Sequence, residues 1–89
     1  MYQAHLIISG YVQGVFYRAS CQEVAQSYSL AGWVKNMPTG QVEVTAQGEK
    51  EKIEKLIDWC KKGSPSARVS NVTIEWQEIK EAVSGFIIK

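Results

Sequence analysis

The spacing of apolar positions along this 89-residue chain alternates between two periods. The run HLIISGY sets Leu6 and Ile8 on one side and closes on a glycine, which reads as a buried strand. After residue 16 the period lengthens. Cys21, Val24, Ala25 and Tyr28 fall at i, i+3, i+4 and i+7, one stripe of a helix from about Tyr17 to Leu30, with Gly32 as its stop. WVKNM reads as a second strand, and Pro38, Thr39 and Gly40 as a turn. QVEVTAQ then alternates, with Val42, Val44 and Ala46 inward and Gln41, Glu43, Thr45 and Gln47 on a wet face.

Ile53, Leu56, Ile57 and Cys60 repeat the helical stripe within a second helix, Glu49 to Lys62. Acidic residues stand in its first turn and lysines in its last, and Gly63 ends it. SPSAR is a loop, VTIEW a strand with Val72, Ile74 and Trp76 on one face, and GFIIK a short terminal strand. The order is β-α-β-β-α-β plus one strand. Interleaving two right-handed β-α-β units predicts a single α+β domain over residues 1–89. The expected architecture is a ferredoxin-like split β-α-β sandwich, an antiparallel sheet of four to five strands with two helices on one face.

Composition adds boundaries. At 45% hydrophobic and 21% charged residues the chain is an ordinary globular protein. A net charge of +1 argues against nucleic acid as a partner. No apolar run reaches the ~20 residues of a membrane span, and the start lacks a basic n-region. The expectation is therefore a cytoplasmic protein, monomeric and without a membrane partner. Cys21 and Cys60 form no C-x-x-C and read as buried free thiols, although their helical stripes could bring them close.

Candidate chemistry concentrates in GYVQGVFYR, residues 10–18, which joins the first strand to the first helix. Residues 1–22 contain Arg18 and His5 but no carboxylate. Two glycines let the chain curl so that backbone N–H groups converge at a helix N-terminus, where the dipole favours an anion. Arg18 adds a guanidinium fork that matches two phosphate oxygens. Cradle plus fork describes a phosphate site. A glycine-containing turn followed by a surface arginine fits the same letters, and no G-K-[ST] follows as a Walker A loop requires.

The same nine residues resemble the acylphosphatase signature G-x-V-Q-G-V-x-[FY]-R. GWVKNMPTGQVEVTAQG, Gly32 to Gly48, is similar to that family's second signature, G-[FYW]-V-x-N-x-x-x-G-x-V-x-x-x-x-x-G, with every fixed position of both present. GSPSARV resembles a weaker third element, with serine where a second proline is common, and Met37 replaces the threonine of many members. The resemblance implies hydrolysis of an acyl phosphate to a carboxylate and inorganic phosphate, without metal or organic cofactor. By position it implies that Arg18 and the backbone N–H groups of Gly14, Val15, Phe16, Tyr17 and Arg18 hold the phosphoryl group. It also implies that Asn36 orients the attacking water. Read without that likeness, Asn36 is more readily a turn former before MPTG.

Physical chemistry agrees with the implied reaction. A carboxylate is a good leaving group, so the transfer requires positioning and charge stabilisation more than covalent catalysis. The sole aspartate, Asp58, falls within the second helix, away from the loop, and neither cysteine precedes an arginine by six residues. His5 lacks partners at metal-ligand spacing and reads as an exposed or edge histidine. Trp33, Trp59 and Trp76 read as packing residues, because no basic-aromatic RNA-binding motif accompanies them.

Overall fold

In the computed structural model, which describes all residues 1–89, β1 (Tyr2–Tyr11) leads into α1 (Tyr17–Ser27). The chain continues through β2 (Ala31–Asn36), β3 (Val42–Gly48), α2 (Lys50–Lys62), β4 (Arg68–Glu78) and β5 (Phe86–Ile88). The five strands form one sheet in the order β4-β1-β3-β2-β5. Neighbours among the first four pair antiparallel, and β5 adds to β2 in parallel. This is the α+β sandwich expected from the element order. The terminal strand occupies the outer edge beside β2, a placement that pattern alone left open.

Both helices cover one face. α1 packs over β2 and β5, and α2 over β1, β3 and β4. Register explains the core: Ala4, Leu6 and Ile8 of β1 stand opposite Ala46, Val44 and Val42 of β3, and all six are completely buried. Ile53, Leu56, Ile57 and Cys60 of α2 and Cys21 and Ala25 of α1 close onto them. Each large apolar side chain so enclosed contributes roughly 1.5–3 kcal/mol over leaving it in water.

Three local expectations change. The helix α1 ends at Ser27; Tyr28 caps it and Ser29 turns the chain at φ 57°. Gly32 therefore does not stop a helix but lies inside β2. There a Cβ would sit 1.9 Å from the Thr45 carbonyl oxygen, so only glycine allows the two strands to meet. Second, the outward row of β3 is only partly wet. Thr45 and Gln47 are 3% and 7% exposed, and the segment between β4 and β5 reaches this row at Gln47. Gln47 donates to Gln3 and accepts from the Val83 N–H, which satisfies its amide there. Third, β1 and β4 run well beyond their apolar cores, since paired backbone carries them past the patterned residues. Trp76, assigned to the packed face of β4, is 40% exposed near the edge of the sheet.

On the open face His5 Nε2 lies 2.9 Å from Glu43, and Lys35 is 3.5 Å from the same carboxylate. The hydrogen bond with His5, helped by the nearby lysine, holds Glu43 below the ordinary carboxylate range. His5 is thus committed to a carboxylate partner on the open face.

Candidate active site

The loop between β1 and α1 is shaped by residues with opposed requirements. β1 bulges against β4 between Ser9 and Gly10. At Gly10, φ is 126° and a Cβ would lie 2.0 Å from the Arg68 carbonyl oxygen, so the chain turns there only without a side chain. Val12 and Val15 plunge into the core, 1% and 5% exposed. Between and after them Gly14 (φ 75°) and Phe16 (φ 62°) take left-handed conformations. Apolar anchors pull inward while left-handed residues curl the backbone outward. The N–H groups of Gly14, Val15 and Phe16 consequently donate to no protein acceptor.

The first turn of α1 extends this surface. Its N-cap, Phe16, makes no side-chain capping bond, and no acidic residue occupies the turn. The N–H groups at a helix start have no partner within the helix, and the dipole there favours negative charge. Arg18 stands in that turn, half-buried, and takes part in neither class of ion pair the protein makes. Asn36, the last residue of β2, has its Oδ1 buried with no hydrogen-bond donor from the protein. Leaving such an acceptor bare costs about 1–3 kcal/mol.

These groups meet in one cavity of about 280 Å³ lined by Val12, Gly14, Phe16, Tyr17, Arg18, Ala19, Asn36 and Ile88. Of the residues singled out from sequence, Gly14, Phe16, Tyr17, Arg18 and Asn36 reach it. The Val15 side chain points into the core instead. A wider groove of about 890 Å³ lies where β1 meets the start of α2, between Tyr2, Tyr28 and Lys50. Its charges alternate, Glu49 and Glu51 with Lys50 and Lys52, and no buried unpaired polar atom faces it. Size favours that groove; convergent chemistry favours the smaller cavity.

Several supports act through partners remote in the chain. Ser64 donates a buried 2.7 Å hydrogen bond to the Val15 carbonyl, fixing the loop from beneath. The Tyr17 hydroxyl donates to the Cys60 carbonyl at 2.7 Å and ties α1 to α2. Burial, with Cys60 and Cys21 close by, pushes that hydroxyl far above its ordinary pKa, so it remains a donor. Cys21 and Cys60 are free, buried thiols; a hydrogen bond with Cys60 and burial raise the Cys21 pKa. Neither supplies a nucleophile to the cavity. Gln22 donates to the Phe86 carbonyl, which holds β5 so that Ile88 reaches the cavity rim. Asp58 lies elsewhere, beside Glu54 and Lys61 on the outer side of α2. No cluster of three or more His, Cys, Asp or Glu side chains forms. No helix is long and apolar enough to cross a membrane.

Comparison with known proteins identifies the family. The acylphosphatase family model matches residues 4–88. An acylphosphatase of Pelotomaculum thermopropionicum is 43% identical over 86 residues, covering 97% of this chain and 94% of that one. The crystal structure of acylphosphatase from Bacillus subtilis superposes with a TM-score of 0.96 at 35% identity, over 100% of this chain and 99% of the other. The acylphosphatase structure from Coxiella burnetii gives 0.91 at 41% identity, over 98% and 90%. Sequence, fold and full-length likeness converge: the chain belongs to the acylphosphatase family of hydrolases.

Proposed function

We propose that this enzyme cleaves the carboxyl-phosphate bond of acyl phosphates by direct attack of water, acting as a monomer in the cytoplasm without metal or cofactor. The phosphoryl group sits in the curl of the first loop, held by backbone N–H groups from Gly14 to Arg18 and by the Arg18 guanidinium. Asn36 Oδ1 accepts a hydrogen bond from the attacking water and aims its oxygen at phosphorus. The new P–O bond forms as the bond to the carboxylate oxygen breaks. The carboxylate leaves with its electron pair, and the proton of the water passes to a phosphate oxygen.

The observation that carries this reading is the pairing in one cavity of a half-buried arginine lacking a carboxylate with a buried amide oxygen lacking a donor. A cation there attracts an anion, and an orphaned acceptor calls for water. No side-chain base lines the cavity. A mixed anhydride does not need one, because its own phosphate oxygens accept the proton.

The test is phosphate release from acetyl or benzoyl phosphate in the presence of EDTA. Asn36→Ala should lower kcat by about 10²–10³-fold, the usual cost of losing a preorganised hydrogen-bonding group. The inhibition constant for inorganic phosphate should stay within about twofold. Arg18→Ala should weaken phosphate inhibition as well and cost about 10³-fold or more, as for arginines that contact a transferred phosphoryl group. Phosphate binding without turnover in the wild-type protein would instead describe an anion-binding module.

A further inference from the structure

The proposed chemistry requires the phosphate cradle and Asn36 to keep a fixed separation, yet they belong to strands that do not touch. β3 lies between β1 and β2, so these two strands run about 10 Å apart across the sheet. The ladder sets their register only as far as Val42, which pairs with Ile8 on one side and Asn36 on the other. The cradle begins several residues beyond that point. Something past the sheet must couple the loop to the turn that follows Asn36.

Gln13 does this with one atom. It stands between the buried Val12 and the left-handed Gly14. Its Nε2 donates to two main-chain carbonyls of the hairpin turn, Met37 and Gln41, at 2.8 Å each. Met37 follows Asn36 directly, and its own N–H donates to the same Gln41 oxygen at 2.8 Å, so Gln13 grips both sides of the base of the turn. A second tie runs alongside, from Gln41 Nε2 to Ser9 Oγ at 2.8 Å.

Resting on the reaction proposed above, we infer that Gln13 is a positioning residue: its side-chain amide locks the cradle loop to the β2–β3 turn and so sets where Asn36 holds water relative to phosphorus. It touches neither substrate nor water. A primary amide suits the task because it offers two hydrogens to two acceptors. A carboxylate would repel both carbonyls, and asparagine is one methylene too short to span them. Misplacement of a reacting group by about 1 Å can cost on the order of 100-fold in rate.

Gln13→Met keeps the length and removes both donors; Gln13→Asn keeps an amide but not the reach. For either, kcat with acetyl phosphate should fall about 10- to 100-fold. Inhibition by inorganic phosphate should change by less than about twofold, because the cradle and Arg18 remain. Added to Asn36→Ala, Gln13→Met should lower kcat by less than about a further twofold, since no positioned water remains to misplace. A merely structural glutamine would weaken phosphate binding in step with kcat, or give its full loss again in the Asn36→Ala background. Either result, or a kcat within twofold of wild type for both variants, overturns the assignment. A wild-type protein that hydrolyses no acyl phosphate overturns the underlying reaction and this role with it.

Discussion

The two helices begin alike and end up with different work. At each start the N-cap carbonyl accepts the first helical bond, Ser20 N–H to Phe16 O at 3.1 Å and Ile53 N–H to Glu49 O at 3.0 Å. Neither N-cap side chain covers the bare amides beyond it. The second position of α1 is Arg18; the same position of α2 is Glu51. Phe16 is left-handed, continuing the curl begun at Gly14, whereas Glu49 is extended, with φ −72° and ψ 138°. Both ends carry the dipole, and the cavity beside α2 is the larger. A helix N-terminus is therefore only the raw material of an anion site. Three additions separate α1 from α2: no carboxylate in the first turn, a backbone that curls ahead of the helix, and a facing amide from another strand.

The sharpest way to break that difference is to give α1 the carboxylate that α2 already has. Ala19 lines the cavity one residue after Arg18. Ala19→Glu should raise the inhibition constant for inorganic phosphate and lower kcat/KM by roughly 10- to 100-fold, since like charges a few ångströms apart repel by about 1 kcal/mol in water and about 4 kcal/mol at the effective dielectric of a protein surface. Comparing 0.02 M with 0.5 M salt checks the cause: the defect should shrink as salt screens it.

A smaller effect separates curl from steric need. Gly10 and Gly14 both have positive φ, but a Cβ at Gly10 collides with the Arg68 carbonyl while one at Gly14 meets nothing within 4 Å. Gly14→Ala should therefore lose only conformational energy, about 1 kcal/mol, or roughly 4–8 °C in Tm. Phosphate inhibition should weaken in parallel as the curl relaxes. Gly14→Asn, which tolerates the left-handed region better, should fall between alanine and wild type. Equal losses for the two substitutions would mean that the backbone angle is not what matters.

Much of this was legible in the sequence because it is local. The stripe Ile53, Leu56, Ile57 and Cys60 is buried as its spacing requires, and the glycines and arginine of the first loop sit where a strand-to-helix junction puts them. What was illegible depends on partners remote in the chain. Gln13 reaches main-chain carbonyls 24 and 28 residues away, and a carbonyl leaves no mark in the letters. Gly32 looks the same whether it ends a helix or lets β2 approach Thr45; only the strand order decides. Thr45 and Gln47 alternate as wet residues do, yet both are buried, Gln47 beneath a segment that crosses toward the far edge of the sheet. Ile88 reaches the cavity only because β5 docks in parallel beside β2.

The smallest effect tests the comparison from the other end. If α2 differs from α1 because its start is an ordinary helix start, it should accept an ordinary cap. Glu49 already has the extended backbone that a capping residue adopts, but its side chain makes no capping bond. Aspartate in its place keeps the charge that suits the dipole and shortens the side chain enough to reach the N–H of Glu51 or Lys52. Glu49→Asp should then stabilise the protein by about 0.5–1 kcal/mol, which for a domain of this size raises Tm by roughly 2–8 °C. Hydrolysis of acetyl phosphate should not change, because α2 begins at the far groove and shares no lining residue with the cavity of Arg18 and Asn36. The same exchange has no counterpart at Phe16, whose backbone is left-handed rather than extended and whose side chain has no oxygen to offer the amides. The feature that keeps the α1 amides uncapped is thus the one that leaves them open to an anion. A stabilised Glu49→Asp protein with altered turnover would show instead that the two helix starts are coupled through the sheet.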